Sequence, residues 1–139
     1  MTHEEICTYE VCKLAKEKGF NVPTDRYYHI YDDVIEAQNS LEMTGDGCAD
    51  FYNSLNRCRC AAPTQSLLQR WLREEKNLYI SIIAHAKSKS VYYEWEVRYI
   101  SALGNMNKAS SVISIETYRY NTYELALEDA LKYTLENLV

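Results

Sequence analysis

Between Val91 and Tyr99 the side chains alternate strictly. Val91, Tyr93, Trp95, Val97 and Tyr99 are apolar or aromatic, and Tyr92, Glu94, Glu96 and Arg98 stand between them. A period of two belongs to a β-strand, whose successive side chains point to opposite faces. The stretch predicts a strand with one buried and one wet face, and the buried face needs a second layer to cover it.

The flanking sequence extends this strand into a sheet. From Leu78 to Ala84, the residues Leu78, Ile80, Ile82 and Ala84 fall on one face, and Lys87-Ser88-Lys89-Ser90 reads as the hairpin loop between the two strands. Val112 to Tyr120, after Gly104-Asn105-Met106-Asn107, predicts a third strand. Its faces are ambiguous, because Ile113 and Ile115 oppose Val112, Tyr118 and Tyr120. Short connections favour an antiparallel meander.

Helical patterns bracket these strands. Thr2-His3-Glu4-Glu5 matches a capping box and predicts a first helix over 3–18. Gly19 ends it in left-handed geometry, and Lys16 and Lys18 favour the negative end of its dipole. Pro63 and Thr64 open a second helix over 64–76 that ends at Asn77, with Leu67, Leu68, Trp71 and Leu72 as its apolar stripe. Asn121, with Glu124 three residues on, is expected to cap a final helix reaching 137. Its stripe is Tyr123, Ala126, Leu127, Ala130, Leu131, Thr134 and Leu138. After Pro23, Arg26 to Tyr31 is β-prone and Asp32-Asp33 reads as a turn. Val34 to Ala37 returns as a short strand or a short helix. Residues 38–62 carry no legible period beyond a loop at Thr44-Gly45-Asp46-Gly47 and one helical turn within Asp50 to Leu55. The predicted order is α-β(β)-loop-α-β-β-β-α. It gives an α+β domain over 1–139, in which a three- to five-stranded antiparallel sheet carries helices on one face.

Composition agrees with a chain that is mostly regular structure. Four glycines and two prolines in 139 residues are about 4%, against a usual ~12%. Thirteen tyrosines suit half-wet surfaces, because the ring buries while the hydroxyl stays hydrogen-bonded. The net charge is −5 and uneven: residues 1–61 carry 6 basic and 11 acidic groups, and the remainder 9 of each. Neither part makes a basic footprint, so no nucleic-acid partner is expected. Arg70, Arg73 and Lys76 read as a solvated helix edge. No apolar run approaches the ~18–20 residues of a membrane span, and the acidic, polar start does not resemble a secretion signal. Five cysteines, an odd number without a framework spacing, predict free thiols in a reducing cytoplasm.

Chemistry-bearing motifs are scarce. There is no glycine-rich phosphate loop, GxSxG, HExxH, EF-hand loop or paired CxxC. His3, His29 and His85 share no ligand spacing, and no cofactor or metal is expected. One alternative stays open: Cys48, Cys58 and Cys60 with a histidine such as His29 could serve a thiol- or metal-dependent enzyme. Small buried hydrophobes explain the same cysteines. Glu94 and Glu96 share a strand face about 7 Å apart, within reach of acid–base work, although a solvated face with Arg98 as partner accounts for them. Tyr92, Glu94, Glu96 and Arg98, extended by Tyr79, Tyr118 and Tyr120, form the candidate recognition surface, since Tyr and Arg anchor interfaces. Plain cross-strand pairing explains them too. The balance leans away from an enzyme and toward a small binding or protein-interaction module, with a protein partner or a second copy of itself.

The runs Leu14-Ala15-Lys16-Glu17-Lys18-Gly19-Phe20 and Ala62 to Glu74, with Tyr123-Glu124-Leu125-Ala126-Leu127 near the end, resemble a group of short uncharacterised proteins of gut Gram-negative anaerobes. These are often associated with prophages or mobile elements. The resemblance is most specific over 62–74. It implies a bacterial cytoplasm and a phage origin, and it carries no known activity, ligand or catalytic residue.

Overall fold

The computed structural model describes residues 4–29, 41–43, 53, 59–100 and 111–139, with the backbone alone described at 41–43 and 111–118. The element order is α1 (Tyr9–Glu17), β1 (Arg26–His29), β2 (Leu41–Met43), β3 (Arg59–Ala61), α2 (Gln65–Lys76), β4 (Leu78–Lys87), β5 (Ser90–Tyr99), β6 (Ser111–Tyr120) and α3 (Tyr123–Asn137). The class is α+β, as the sequence predicts. The single sheet of the prediction is replaced by two antiparallel three-stranded sheets, ordered β2-β1-β3 and β4-β5-β6. The chain forms two compact units, Met1–Thr64 and Gln65–Val139.

In the first unit, α1 starts later than the capping box at Thr2 predicts. Ile6 is held in a β-bridge to Thr64 and the Cys7 N–H donates to the Pro63 carbonyl at 3.0 Å. This extended pairing takes the backbone groups a helix would have used. Thr8 becomes the N-cap, its hydroxyl accepting from the Val11 N–H. Gly19 ends the helix at φ +94°, and the Phe20 N–H returns to the Ala15 carbonyl at 2.9 Å. The expected strand at 26–31 is β1. It lies between β2 and β3, both within the stretch whose pattern was illegible. Val11, Cys12, Ala15, Phe20, Tyr27 and Cys60 are among its buried side chains. Asn53, also buried, donates to the Phe20 carbonyl and accepts from the Ala61 N–H, each at 2.7 Å. The Thr2 and His3 positions, the Asp32-Asp33 turn, 34–37, the 44–47 loop, and Cys48 and Cys58 lie outside the described residues.

In the second unit the meander forms as predicted. β4 pairs with β5 without interruption from Leu78↔Tyr99 to Lys87↔Ser90. The hairpin loop is only Ser88-Lys89, with Ser88 at φ 55°. Asn77, also left-handed at φ 57°, turns the end of α2 into β4. Trp95 and Val97 are sealed at 2% and 0% exposure, with Ile82 opposite Trp95 and Ile80 opposite Val97. α2 covers them with Leu68, Trp71 and Leu72, and α3 with Leu127, Leu131 and Leu135. Each such side chain contributes about 2 kcal/mol of burial. Thr134 sits in this layer because its hydroxyl donates to the Ala130 carbonyl at 2.7 Å. The buried Gln65 links the two helices, donating to the Glu124 carbonyl and the Glu128 carboxylate. The α3 cap is Thr122, not Asn121: its hydroxyl accepts from the Leu125 N–H at 3.1 Å. Tyr123, expected inside, is 43% exposed. No helix among the described residues is long and apolar enough to cross a membrane.

Candidate functional site

The face of the second sheet opposite the helices carries the candidate surface. Register places Tyr79 beside Arg98, Ser81 beside Glu96, Ile83 beside Glu94 and His85 beside Tyr92. The four predicted residues, Tyr92, Glu94, Glu96 and Arg98, therefore share one face of β5, and the adjacent strands supply partners the sequence reading did not assign. Each carboxylate has its own. Glu96 accepts from the Arg98 Nε–H at 2.9 Å, and Glu94 Oε2 lies 3.3 Å from His85 Nε2. The two acids are thus paired separately rather than facing a shared reacting atom. Their side chains remain only 21% and 16% exposed, for Glu94 and Glu96 respectively.

His85 has a second feature. Its Nε2 is shielded from solvent and makes no hydrogen bond. The separation from Glu94 is within ion-pair distance, but the contact is not a hydrogen bond. The imidazole instead rests on the Tyr92 ring, centroids 5.1 Å apart and planes 16° from parallel. The Arg119 guanidinium lies over the same ring at 4.7 Å. His85 from β4, Tyr92 from β5 and Arg119 from β6 thereby make a row across all three strands.

Two register shifts between β5 and β6, at Tyr93/Trp95 and at Val97/Arg98, explain why the faces of β6 could not be read by period. The shift at Val97/Arg98 adds one residue to β6 and reverses its alternation there, whereas the shift at Tyr93/Trp95 adds two and leaves the faces as they were. Arg119 reaches Tyr92 on the outer face. Tyr120, grouped with that face by the sequence, belongs to the helix-bearing face: Trp95 Nε1–H donates to its hydroxyl at 3.4 Å, and the hydroxyl donates to Asp129.

Of the cysteine alternative, only Cys60 and His29 lie among the described residues. Cys60 is fully buried, and burial pushes its thiol up from 9.0 to about 11, against the smaller opposing effects of the Lys16 charge, a hydrogen bond from the Tyr28 backbone and the Lys13 charge. It is a protonated thiol at neutral pH, unsuited to nucleophilic attack. Cys60 pairs with Tyr28 on one side of the first sheet, whereas His29 pairs with Arg59 on the other. Cys7 and Cys12 are buried too. Among the described residues, no three His, Cys, Asp or Glu side chains converge where they could hold a metal ion. On the basic edge of α2, Arg70 bonds Glu74 at 2.9 Å and Lys76 lies over the Trp71 ring at 5.4 Å.

Compared with known proteins, the chain matches no family model, no curated protein and no solved structure.

Proposed function

We propose that the chain is a protein-interaction module of the bacterial cytoplasm, phage-derived, that recognises a protein partner through the helix-free face of β4–β6. The observation that carries this is the row His85–Tyr92–Arg119, flanked by the paired acids Glu94 and Glu96 and by Arg98. A tyrosine ring held between an imidazole and a guanidinium loses little side-chain freedom on binding, so its contact area converts to affinity with a small ordering cost. Tyr and Arg are the side chains whose truncation most often costs an interface more than about 2 kcal/mol. Ile83, 37% exposed beside Glu94, adds an apolar contact. Charges of both signs stand within one strand pair, which suits a mixed protein surface better than a polyanion.

The test is a paired capture experiment. Immobilised wild-type chain and a Tyr92→Ala/Arg98→Glu variant, matched by circular dichroism, are exposed to the same bacterial lysate. One protein retained in stoichiometric amount by the wild type and lost by the variant supports the proposal. Identical retention by both chains, or none by either, rejects it.

A further inference from the structure

The N–H and C=O groups of β4 that do not face β5 are identifiable. The Ile100 N–H donates to the Asn77 carbonyl at 3.0 Å, and at the other end Lys87 pairs with Ser90 across a two-residue loop. In an antiparallel ladder, bonded and non-bonded pairs alternate. Tyr79, Ser81, Ile83, His85 and Lys87 thus turn their backbone groups to β5, and Leu78, Ile80, Ile82, Ala84 and Ala86 turn theirs outward. The Gln69 amide confirms this phase independently, since it donates to the Ile80 carbonyl at 3.0 Å from outside the ladder. Gln69 also closes the edge at Ile80. What remains, Ile82 to Ala86, is the edge of the sheet, and no described residue bonds its outward backbone groups. Ile83, Ala84 and Ala86 are exposed. From Leu78 to Ala86 β4 has no charged Lys, Arg, Asp or Glu and no proline, the usual devices that keep an edge from pairing.

We infer that this edge pairs antiparallel with β4 of a second copy, about a two-fold axis at Ala84, and joins two three-stranded sheets into one. The stop set by Gln69 at one end and by the hairpin at the other leaves one centred register. Ala84 faces Ala84 of the second copy, and Ile82 faces Ala86, giving about six backbone hydrogen bonds. The alanines permit close approach. On the outer face Ile83 meets the imidazole of the second copy's His85. Ser81 lies beside the second copy's Lys87, whose long stem can pass over that short side chain toward Glu96, the register partner of Ser81. Strand spacing places those two Cα atoms about 10 Å apart, a distance spanned by a lysine and a glutamate together. The two basic hairpin tips lie at opposite ends of the pairing and do not repel. The pairing is tested apart from the partner-binding proposal, because its hydrogen bonds lie along the edge of β4 and its variants leave Tyr92 and Arg98 in place; if both hold, the two faces become one surface.

Sedimentation of the full chain across about 1–200 µM tests this, since a dimer of a 16.2 kDa chain shows a mass that rises with concentration. The expected result is a monomer–dimer equilibrium. Ala84→Pro removes an outward N–H that the β4–β5 ladder does not use, and is expected to abolish dimerisation while circular dichroism stays unchanged. Ala84→Lys sets two ammonium groups against each other at the axis and is expected to do the same, which decides the matter if the proline variant misfolds. Lys87→Glu is expected to weaken the dimer several-fold. A wild-type chain that stays monomeric throughout, or a dimer whose dissociation constant is unchanged in folded Ala84 variants, overturns the inference. Neither result touches the Tyr92/Arg98 capture experiment.

Discussion

His85 lies face to face with Tyr92, ring centroids 5.1 Å apart and planes 16° from parallel. The two residues oppose each other across β4 and β5 in a hydrogen-bonded pair of the ladder. The imidazole Nε2 is shielded from solvent and makes no hydrogen bond. Replacing Tyr92 by Leu keeps bulk but removes the ring. It is expected to cost about 0.5–1.5 kcal/mol in urea unfolding and to move the His85 ring-proton resonances downfield, as the ring current above them is lost. Unchanged His85 resonances would show that the rings do not stack in solution.

Asn53 is a buried amide with both ends in use, its donor on Phe20 and its acceptor on Ala61. Asn53→Ala removes both bonds and leaves the buried Ala61 N–H without this acceptor, for an expected loss of about 1–3 kcal/mol. Asn53→Asp keeps the acceptor but turns a carboxylate toward the Phe20 carbonyl, so it is expected to lose at least as much at neutral pH. Equilibrium denaturation of the two variants measures both values.

Cys60 makes a pH prediction. Its native thiol titrates at about 11 against 9.0 when unfolded, so above pH 9 the unfolded chain holds fewer protons than the folded one. The stabilising effect of keeping the thiol neutral is complete below pH 9 and is lost as pH rises through 11. The loss amounts to about 2–3 kcal/mol across that window, set by the two pKa values. Comparing the unfolding free energy of wild type and Cys60→Ala from pH 8 to 11.5 isolates it; parallel curves would refute it. At pH 8, alkylation followed by peptide mapping is expected to leave native Cys60 unlabelled.

Gly19 ends α1 at φ +94°, and a Cβ built there meets nothing within 4 Å. The penalty for Gly19→Ala is therefore backbone strain alone, about 1–2 kcal/mol. Gly19→Asn is expected to lose less, because asparagine tolerates positive φ better. A larger drop for Asn than for Ala, in thermal or urea unfolding, would contradict this.

The period-two run from Val91 to Tyr99 determined by itself that β5 exists, which of its faces is buried, and that Tyr92, Glu94, Glu96 and Arg98 lie together on the other. Gly19 and Asn77 likewise marked the ends of α1 and α2, since left-handed backbone is a local property. Other features were decided only by contacts distant in sequence. The bridge between Ile6 and Thr64 displaced the start of α1 to Thr8. The three-residue strands β2 and β3 are too short to carry a period and exist through pairing with β1. β6 shifts register twice against β5, and it is in the folded sheet that Arg119 lies over Tyr92 and Tyr120 bonds Asp129. Alternation and capping are written in neighbouring residues. Register, bulges and the partner of a buried amide are set by which strands the tertiary fold brings side by side, and no local pattern encodes that choice.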